Sequence, residues 1–455
     1  MSGQDKGQTR WKQLLRGAVF LLVLTIAVVS VSGMFGVDTN HPYENMRLFL
    51  KEKPGSLDAV FIGSSAVHRF WLPLYGWAQH GLAVWNYSVD HMPAEAIKYM
   101  MIEGRKTQPD ALYIVCLNVF GKDEDDVTVD RIHRLVDYLP MSLNRIQMTE
   151  ALCRGKDISF LDRLEYYFPI IRFHTRWDNL SELVYEAQNY DYKSSSHNSS
   201  FNKDILDVSG LYRVYDTEMS AAEDLTVILD DLLDYCDEKK ERVLFVKMPQ
   251  VMEEEDQARL ANIQRRVEER GYPCVDFLKG SDDLLLDYTQ DFYNKKHTNV
   301  HGALKVSDAL STYLFEHYDL KDKRGQAGWE SWDACADKYM NSYLAPYYLP
   351  IELSLENRTA EEAPTLERPS VSGKEVTLYW WGAEWADGFE IFRKEKNKSW
   401  KSVASVDGET QSYTVKKLKE ETQYSFTVVP YREENGRKLY GKFNVSGVSA
   451  ETGGK

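Results

Sequence analysis

Residues 59–69 read AVFIGSSAVHR, and this stretch decides the fold of the larger part of the chain. Residues 59–62 form a short apolar run that ends at a glycine, which is typical of a buried strand just before a turn. Two further apolar runs follow at residues 84–87 and 111–117, with helical spacing over 94–106 between them. Continuous apolar strands that alternate with helices predict a parallel sheet covered on both faces.

The same pattern resumes with strands at residues 242–247 and 272–277 and ends with a helix over 301–318. Between about 122 and 230 the chain is mostly helical in pattern, rich in aromatic residues, and without this strand rhythm. We interpret that part as an insertion that caps the functional edge of the sheet. The fold class predicted for residues 38–344 is therefore α/β, a parallel sheet flanked by helices with a helical insertion.

The C-terminal part has a different composition and a different period. Residues 345–369 contain four prolines in an irregular, charged stretch, which predicts a linker. Over 370–455 apolar and polar residues alternate between Asp-Gly and Asn-Gly turn pairs, which predicts an all-β sandwich. This domain resembles a fibronectin type III domain, because Trp380 falls on its second predicted strand and Tyr424 resembles that domain's tyrosine corner. No catalytic group of residues is visible in it, and the resemblance implies a spacer or a docking module.

The first forty residues contain one candidate membrane span. Residues 17–37 are 21 consecutive residues without a charge, enough for a helix to cross a hydrocarbon core of ~30 Å. Residues 1–16 carry four basic side chains and one acidic side chain, which predicts a cytoplasmic tail and an extracytoplasmic C-terminal bulk. The alternative is a cleaved signal peptide cut near the small residues 29–33, although the apolar run exceeds a signal core of ~7–15 residues.

Composition excludes several classes of protein. With 70 acidic and 55 basic side chains the net charge is -15, which argues against a nucleic-acid partner. A mean hydropathy of -0.47 excludes a polytopic membrane protein. The five cysteines are widely spaced without a C-x-x-C pair, and His297 and His301 lack the glutamate and the third ligand of a zinc motif. We predict neither a cofactor nor a metal.

Two stretches carry candidate chemistry. Gly63-Ser64-Ser65 stands at the carboxyl end of the first predicted strand, where parallel sheets bind ligands. The second stretch, residues 291–302, reads DFYNKKHTNVHG and places His297 just before the last helix. A serine hydroxyl is a weak nucleophile at neutral pH, and a histidine that accepts its proton activates it. A Ser–His pair at this edge of the sheet is the predicted catalytic unit.

Together the two stretches resemble the SGNH, or GDSL-like, hydrolase and acyltransferase superfamily over roughly residues 55–320. In that family the first block is Gly-Asp-Ser and the last is Asp-x-x-His, so the resemblance implies Ser65 as the nucleophile and His297 as the base. The chain departs from the last block, because the residue three positions before His297 is Asn294 rather than aspartate. Either Asp291 supplies the carboxylate that orients His297, or Asn294 orients the ring and the pair works without a charge. We favour Asp291.

The resemblance also implies where an oxyanion would bind. The family's glycine block falls at Ser88, and of its Gly-x-Asn-Asp block only Asn118 remains. The predicted donors are the backbone N–H groups of Ser65 and Ser88 and the side chain of Asn118. The alternative for Asn118 is that it caps a strand end.

The implied function is a membrane-anchored, extracytoplasmic serine esterase or O-acyltransferase that acts on acyl esters, acetyl above all, of cell-surface carbohydrate polymers. The implied partners are a cell-surface polysaccharide or another acylated polymer and a multi-span membrane O-acyltransferase that delivers the acyl group. The competing hypothesis is a catalytically decayed surface protein of the same fold that binds partners through its fibronectin-like domain. The sequence leaves hydrolysis and transfer open.

Overall fold

A computed structural model describes residues 4–35, 41–121, 128–182, 185, 197 and 199–453. Residues 1–3 of the predicted tail, residues 36 and 37 of the predicted anchor, and parts of the predicted insertion lie outside these ranges. The described residues form an N-terminal apolar helix, a parallel sheet flanked by helices, and a C-terminal region of antiparallel strands. This confirms the general α/β plus β-sandwich layout.

The helices are α1 Gln4–Phe35, α2 His41–Lys51, α3 Ser65–His68, α4 Pro73–His80, α5 Ala96–Arg105, α6 Val129–Val136, α7 Leu143–Cys153, α8 Phe160–Tyr167, α9 Pro169–Phe173, α10 Glu223–Lys239, α11 Glu254–Glu269, α12 Val300–His317 and α13 Glu330–Lys338. Short 3-10 segments lie at Leu117–Phe120, His174–Asp178, Lys279–Ser281, Pro350–Leu353 and Leu355–Asn357, and a π-helical segment at Tyr339–Leu344.

The strands are β1 Ala59–Gly63, β2 Val84–Ser88, β3 Leu112–Cys116, β4 Val243–Lys247, β5 Cys274–Asp276, β6 Phe292–Asn294, β7 His297–Thr298, β8 Thr365–Leu366, β9 Ser370–Ser372, β10 Glu375–Trp381, β11 Gly388–Glu395, β12 Lys401–Asp407, β13 Ser412–Val415, β14 Gln423–Glu434, β15 Arg437–Tyr440 and β16 Val448–Glu451.

The central sheet has the order β2-β1-β3-β4-β5, and its neighbouring strands are all parallel. Every residue of β1 to β4 is buried. Val60 and Ile62 point into one apolar core, and Phe61 points into a second core on the opposite face. The strands read as unbroken apolar runs because helices cover both faces of the sheet.

The turn after β1 requires a glycine. A Cβ atom on Gly63 would lie 2.7 Å from the Cβ of Cys116 and 2.8 Å from a methyl carbon of Val67. The neighbouring strand β3 and helix α3 therefore approach the backbone at Gly63 more closely than any side chain allows. This close approach sets Ser65 at the first position of α3, at the carboxyl edge of the sheet.

Helix α1 contains a 25-residue apolar segment, Trp11–Phe35, long enough to cross a membrane, and few of its residues are buried. This is consistent with a single-pass membrane anchor. A signal sequence near the N-terminus can pass the same test of length and composition.

The C-terminal strands form two antiparallel groups, β13-β10-β8 with β9 beside β10, and β12-β11-β14-β15 with β16 beside β14. A core that includes Trp380, Phe389 and Phe426 lies between them. The hydroxyl of Tyr424 accepts a hydrogen bond from the backbone N–H of Lys419 at 3.1 Å, which is the contact of a tyrosine corner.

The predicted linker, residues 345–369, is packed rather than extended. Strand β8, at its end, pairs with β10, so the antiparallel region begins before residue 370. Leu349 packs in one cluster with Trp400 of this region. Glu352 is buried, and one of its carboxylate oxygens lies 2.6 Å from His301 Nδ1 in α12. Proline content and charge therefore did not predict how this segment packs.

One side chain joins the antiparallel region to the loop before α12. The Gln290 amide donates to the carbonyl of Phe443 at 2.8 Å and accepts from the N–H of Val445 at 2.9 Å. The backbone carbonyl of Gln290 accepts a hydrogen bond from the side chain of Asn299, which also caps α12. We call these bonds the Gln290 contact.

The predicted insertion reaches the edge of the sheet with its last part. The N–H of Ser200 donates to the carbonyl of His68 at 2.9 Å, and the N–H of Leu206 donates to the carbonyl of Phe292 at 2.7 Å. These bonds tie the end of α3 and strand β6 to one passing segment.

Candidate active site

Ser65 and His297 meet at the carboxyl edge of the sheet. Ser65 Oγ lies 2.8 Å from His297 Nε2, although 232 positions separate them in the sequence. Ser65 opens α3 directly after β1, and His297 begins β7, which pairs with β6 just before α12. Both predicted residues are therefore within the reach required for proton transfer.

Asn294 holds the other nitrogen of the ring. Its Oδ1 lies 3.1 Å from His297 Nδ1 and accepts the backbone N–H of Lys296 at 2.8 Å. Because a backbone N–H only donates, the amide atom that faces it is the oxygen. Nδ1–H therefore donates to Asn294, and Nε2 is left to accept the proton of Ser65.

The preference for Asp291 as the residue that supports His297 is corrected by this geometry. Asp291 is 1% exposed, and its Oδ2 lies 2.6 Å from the ammonium of Lys305 and accepts the N–H of Asp287. The carboxylate is thus committed to a buried ion pair with α12. Asn294 takes the position at Nδ1 because it stands opposite His297 in the β6–β7 pairing.

Burial and positive charge lower the pKa of His297. The ring packs almost parallel to that of Tyr293, with centroids 5.7 Å apart and planes at 12°. Removal from water, and then the charges of Arg69 and His68, lower the pKa of His297 to about 4. The ring is therefore neutral, and able to accept a proton, from mildly acidic to alkaline pH.

A second polar array lies one turn along α3. His68 Nδ1 is 3.0 Å from Ser88 Oγ, and His68 Nε2 is 3.0 Å from a carboxylate oxygen of Asp90. The hydrogen bond from His68 holds the pKa of Asp90 well below its ordinary value. Sequence reasoning missed this array. The signal was there, since His68 follows Ser65 by three positions and so shares its helix face.

Ser88 does not stand where the oxyanion prediction put it. Its side chain is 3% exposed and is engaged with His68. The N–H of Val89 donates to the carbonyl of Gly63, so alternation along β2 turns the N–H of Ser88 toward the opposite edge of the strand. Ser88 supports the chain beside the nucleophile and does not line the cavity there.

Asn118 also has a structural role here, which corrects its prediction as an oxyanion donor. Its amide donates to the carbonyl of Met248 and to the side chain of Gln250, both at 3.0 Å, and its oxygen accepts the N–H of Met248. Both amide hydrogens are in use, so Asn118 ties the end of β3 to the end of β4. This is the strand-end cap that the sequence left open.

The remaining predicted donor is the backbone of Ser65. Of the residues that the structure describes, none supplies an acceptor to the N–H of Ser65 at the first position of α3. An N–H at a helix start points outward and favours negative charge. The backbone N–H of Ser65 can therefore donate a hydrogen bond to a negatively charged group beside the Ser65 hydroxyl.

A cavity of about 270 Å³ opens beside Ser65 and His297, and its charged lining residues are Arg69, Asp90, Glu95, Lys156 and Lys296. Across the described ranges, no three His, Cys, Asp or Glu side chains lie together as a metal site requires. The groups present can exchange a proton and bind an anion.

Comparison with known proteins adds little to this geometry. No protein-family model matches the chain, and no curated protein sequence matches it. Similar solved structures include a β-1,2-glucanase from Parabacteroides distasonis (18% identity, 21% of this chain, 13% of that chain, TM-score 0.18). A fibronectin type III domain of human collagen XX is similar over 21% of this chain and 97% of that chain, with 21% identity and a TM-score of 0.17. The twitchin kinase region of C. elegans is similar over 19% of this chain and 15% of that chain, with 21% identity and a TM-score of 0.15.

Proposed function

We propose that the protein is a membrane-anchored serine esterase or O-acyltransferase of the SGNH type. The observation that carries the proposal is the 2.8 Å contact between Ser65 Oγ and a histidine nitrogen that must accept. The position of Ser65 after the first strand and of His297 before the last helix of the sheet domain agrees with the family resemblance.

In the proposed reaction Ser65 attacks the acyl carbonyl while His297 Nε2 takes its proton. The N–H of Ser65 meets the developing oxyanion. His297 then returns the proton to the leaving alcohol, and an acyl group remains on Ser65. Water or a second hydroxyl attacks this ester with His297 again as base, which gives hydrolysis or transfer.

Because Asn294 offers an amide where the family has a carboxylate, the site is weaker. The tautomer of His297 is nevertheless the correct one. An amide beside a catalytic histidine is damaging when it holds the ring in the wrong tautomer. Here the N–H of Lys296 prevents that error, because it holds the Asn294 oxygen toward Nδ1. What is missing is the charge that would stabilise the imidazolium as it forms.

The proposed location follows from the N-terminal helix and the charges before it. The apolar segment Trp11–Phe35 serves as the anchor, and the basic residues before it favour a cytoplasmic N-terminus. The sheet domain and the antiparallel region, which we assign to the fibronectin type III class on its tyrosine corner, then lie outside. Acyl esters of cell-surface carbohydrate polymers are the proposed substrates, and a multi-span membrane O-acyltransferase is the proposed partner. Both come from the family resemblance.

A fluorophosphonate probe on the full-length protein in detergent tests the proposal. Labelling is expected on Ser65 in the wild type and in Ser64→Ala, a matched control whose hydroxyl caps no helix. Labelling should be absent from Ser65→Ala and strongly reduced in His297→Ala. A folded wild-type protein that takes no label would overturn the proposal and favour a decayed surface protein that binds through its C-terminal domain.

A further inference from the structure

Arg69 lies in the wall of the candidate cavity, where its charge acts on the carboxylate of Asp90 without a direct ion pair between the two. Its side chain is half-buried and lines the cavity together with Ser65 and His297. Among the described residues, no carboxylate lies within ion-pair distance of its guanidinium and no acceptor within hydrogen-bond distance. Within the described ranges the guanidinium of Arg69 lies over the ring of Tyr293, whose centre is 5.8 Å away.

A half-buried guanidinium without a direct hydrogen-bond acceptor has lost part of its hydration and has unused N–H donors. The stack on Tyr293 orients the group but leaves its N–H donors unused. The fork of an arginine matches two oxygens of a carboxylate or a phosphate. The unfilled donors of Arg69 therefore mark a place for an oxyanion beside the nucleophile.

Other charged side chains line the cavity together with Arg69. Lys156 and Lys296 add two positive charges to that of Arg69. Asp90 and Glu95 oppose them, and the hydrogen bond that Asp90 accepts from His68 at 3.0 Å favours the charged form of its carboxylate. Among the described lining residues there is therefore one more cation than there are carboxylates, although the whole chain carries a net charge of -15. A local excess of cations against an acidic background attracts anionic ligands to this position.

We propose that the cavity binds an anionic group of the substrate, a phosphate or a carboxylate carried by the unit that bears the ester, and that Arg69 is the residue that grips it. The inference rests on the proposed function for its catalytic meaning and narrows the substrate class to esters of anionic polymers. Arg69 is four positions after Ser65 and follows α3 directly, so the two residues are one helical turn apart along the chain and both line the cavity.

Binding of an anion at Arg69 has a second, measurable consequence. Arg69 is one of the charges that lower the pKa of His297, and an anion at its guanidinium offsets that charge. The pKa of the base then rises toward its ordinary value when the site is filled. Occupation of the site is therefore visible at His297 without any turnover.

Calorimetric titration of the full-length protein with inorganic phosphate, and separately with glucuronate, tests the proposal and separates the two anions. The expected result is saturable binding of at least one of them, weakened ten-fold or more in Arg69→Gln and less in Arg69→Lys, which keeps the charge but loses the fork. Arg324→Gln is the matched control, because that guanidinium is already paired with Asp322 and should leave binding unchanged. Circular dichroism confirms that each variant is folded.

The outcomes separate this inference from the proposed function. Equal binding by the wild type and Arg69→Gln, or no binding of either anion to the wild type, overturns the inference. If the fluorophosphonate still labels Ser65 in that case, the enzyme assignment survives alone. If anion binding depends on Arg69 while Ser65 takes no label, the anion site stands and the catalytic assignment falls.

Discussion

Replacing Asn294 by aspartate puts a carboxylate against the Nδ1–H of His297, where the structure has an amide oxygen at 3.1 Å. The N–H of Lys296 also donates to this oxygen, so the new carboxylate keeps both of its partners. Two unit charges about 4 Å apart attract by about 4 kcal/mol at an effective dielectric of about 20. Such a neighbour shifts a pKa by about one to three units, which is about 1.4–4 kcal/mol.

The pKa of His297, lowered to about 4 in the wild type, should therefore rise to about 5 to 7 in Asn294→Asp. With the proton half transferred in the transition state, half of the interaction lowers the barrier, about 0.7–2 kcal/mol. Turnover then increases roughly three- to thirty-fold. The gain should be visible at about pH 8, where His297 starts neutral in both proteins.

Hydrolysis of an aryl acetate, followed over a range of pH with Ser65→Ala as the blank, measures both effects. Asn397→Asp makes the same change at an exposed turn of the antiparallel region and controls for the added charge. The reasoning would be refuted if the hydrolysis rate declined at the same acidic pH in the wild type and in Asn294→Asp. Either Asn294 would then not face Nδ1, or His297 would not be the base.

Three further outcomes follow from the same contacts. Asp291→Ala should lower the free energy of unfolding by about 3–5 kcal/mol in a denaturant titration, because it leaves the Lys305 ammonium buried and unpaired. The folded fraction should still react with the fluorophosphonate, since that carboxylate does not hold His297. For the wild type, kcat/KM on an aryl acetate should stay level as pH falls through 6.5 and decline only near the His297 pKa of about 4; a decline centred near 6.5 would contradict it. Gln290→Ala should speed hydrogen exchange in residues 287–299 measured by mass spectrometry, and unchanged exchange there would show that the Gln290 contact does not stabilise this loop.

The sheet was predictable from the rules of parallel sheets, and the Ser65–His297 pair was predictable from those rules together with the resemblance to the SGNH superfamily. Strands buried on two faces appear as apolar runs, and their carboxyl ends converge at one edge. That convergence places Ser65 at the edge after β1, and the β6–β7 pair just before α12 brings His297 to the same edge. The 2.8 Å contact is the local result.

The partner of His297 was not predictable in the same way. The sequence from 291 to 297 leaves open whether Asp291 or Asn294 orients His297, because spacing alone does not decide which side chain faces the ring. It folds as the β6–β7 pair, and strand register sets Asn294 against His297. Lys305, which pairs with Asp291, lies on the buried face of α12. The apolar pattern of a helix does not predict the partner of a charged residue on that face.

The role of Asn118 depends on groups that arrive from another strand. Three of its bonds are to Met248 and Gln250, 130 and 132 positions away, and two of these involve backbone atoms of Met248. No motif in the sequence records which carbonyl will lie beside an amide. Only the assembled sheet distinguishes a strand-end cap from an oxyanion donor.

The Gln290 contact has a consequence for how this chain can change over generations. On the antiparallel side both bonds are made by the main chain, at the carbonyl of Phe443 and the N–H of Val445. Any substitution there that preserves the path of the loop preserves the bonds. The sequence of that region therefore does not show that the Gln290 contact is present. On the side of the sheet domain both bonds depend on the side chain of Gln290, and the backbone carbonyl of Gln290 accepts a hydrogen bond from Asn299, which caps α12. A foreign sandwich grafted onto residues 38–364 would therefore have to reproduce the course of this loop, and also the packing of Leu349 against Trp400, whereas its sequence at the two bonded positions could differ.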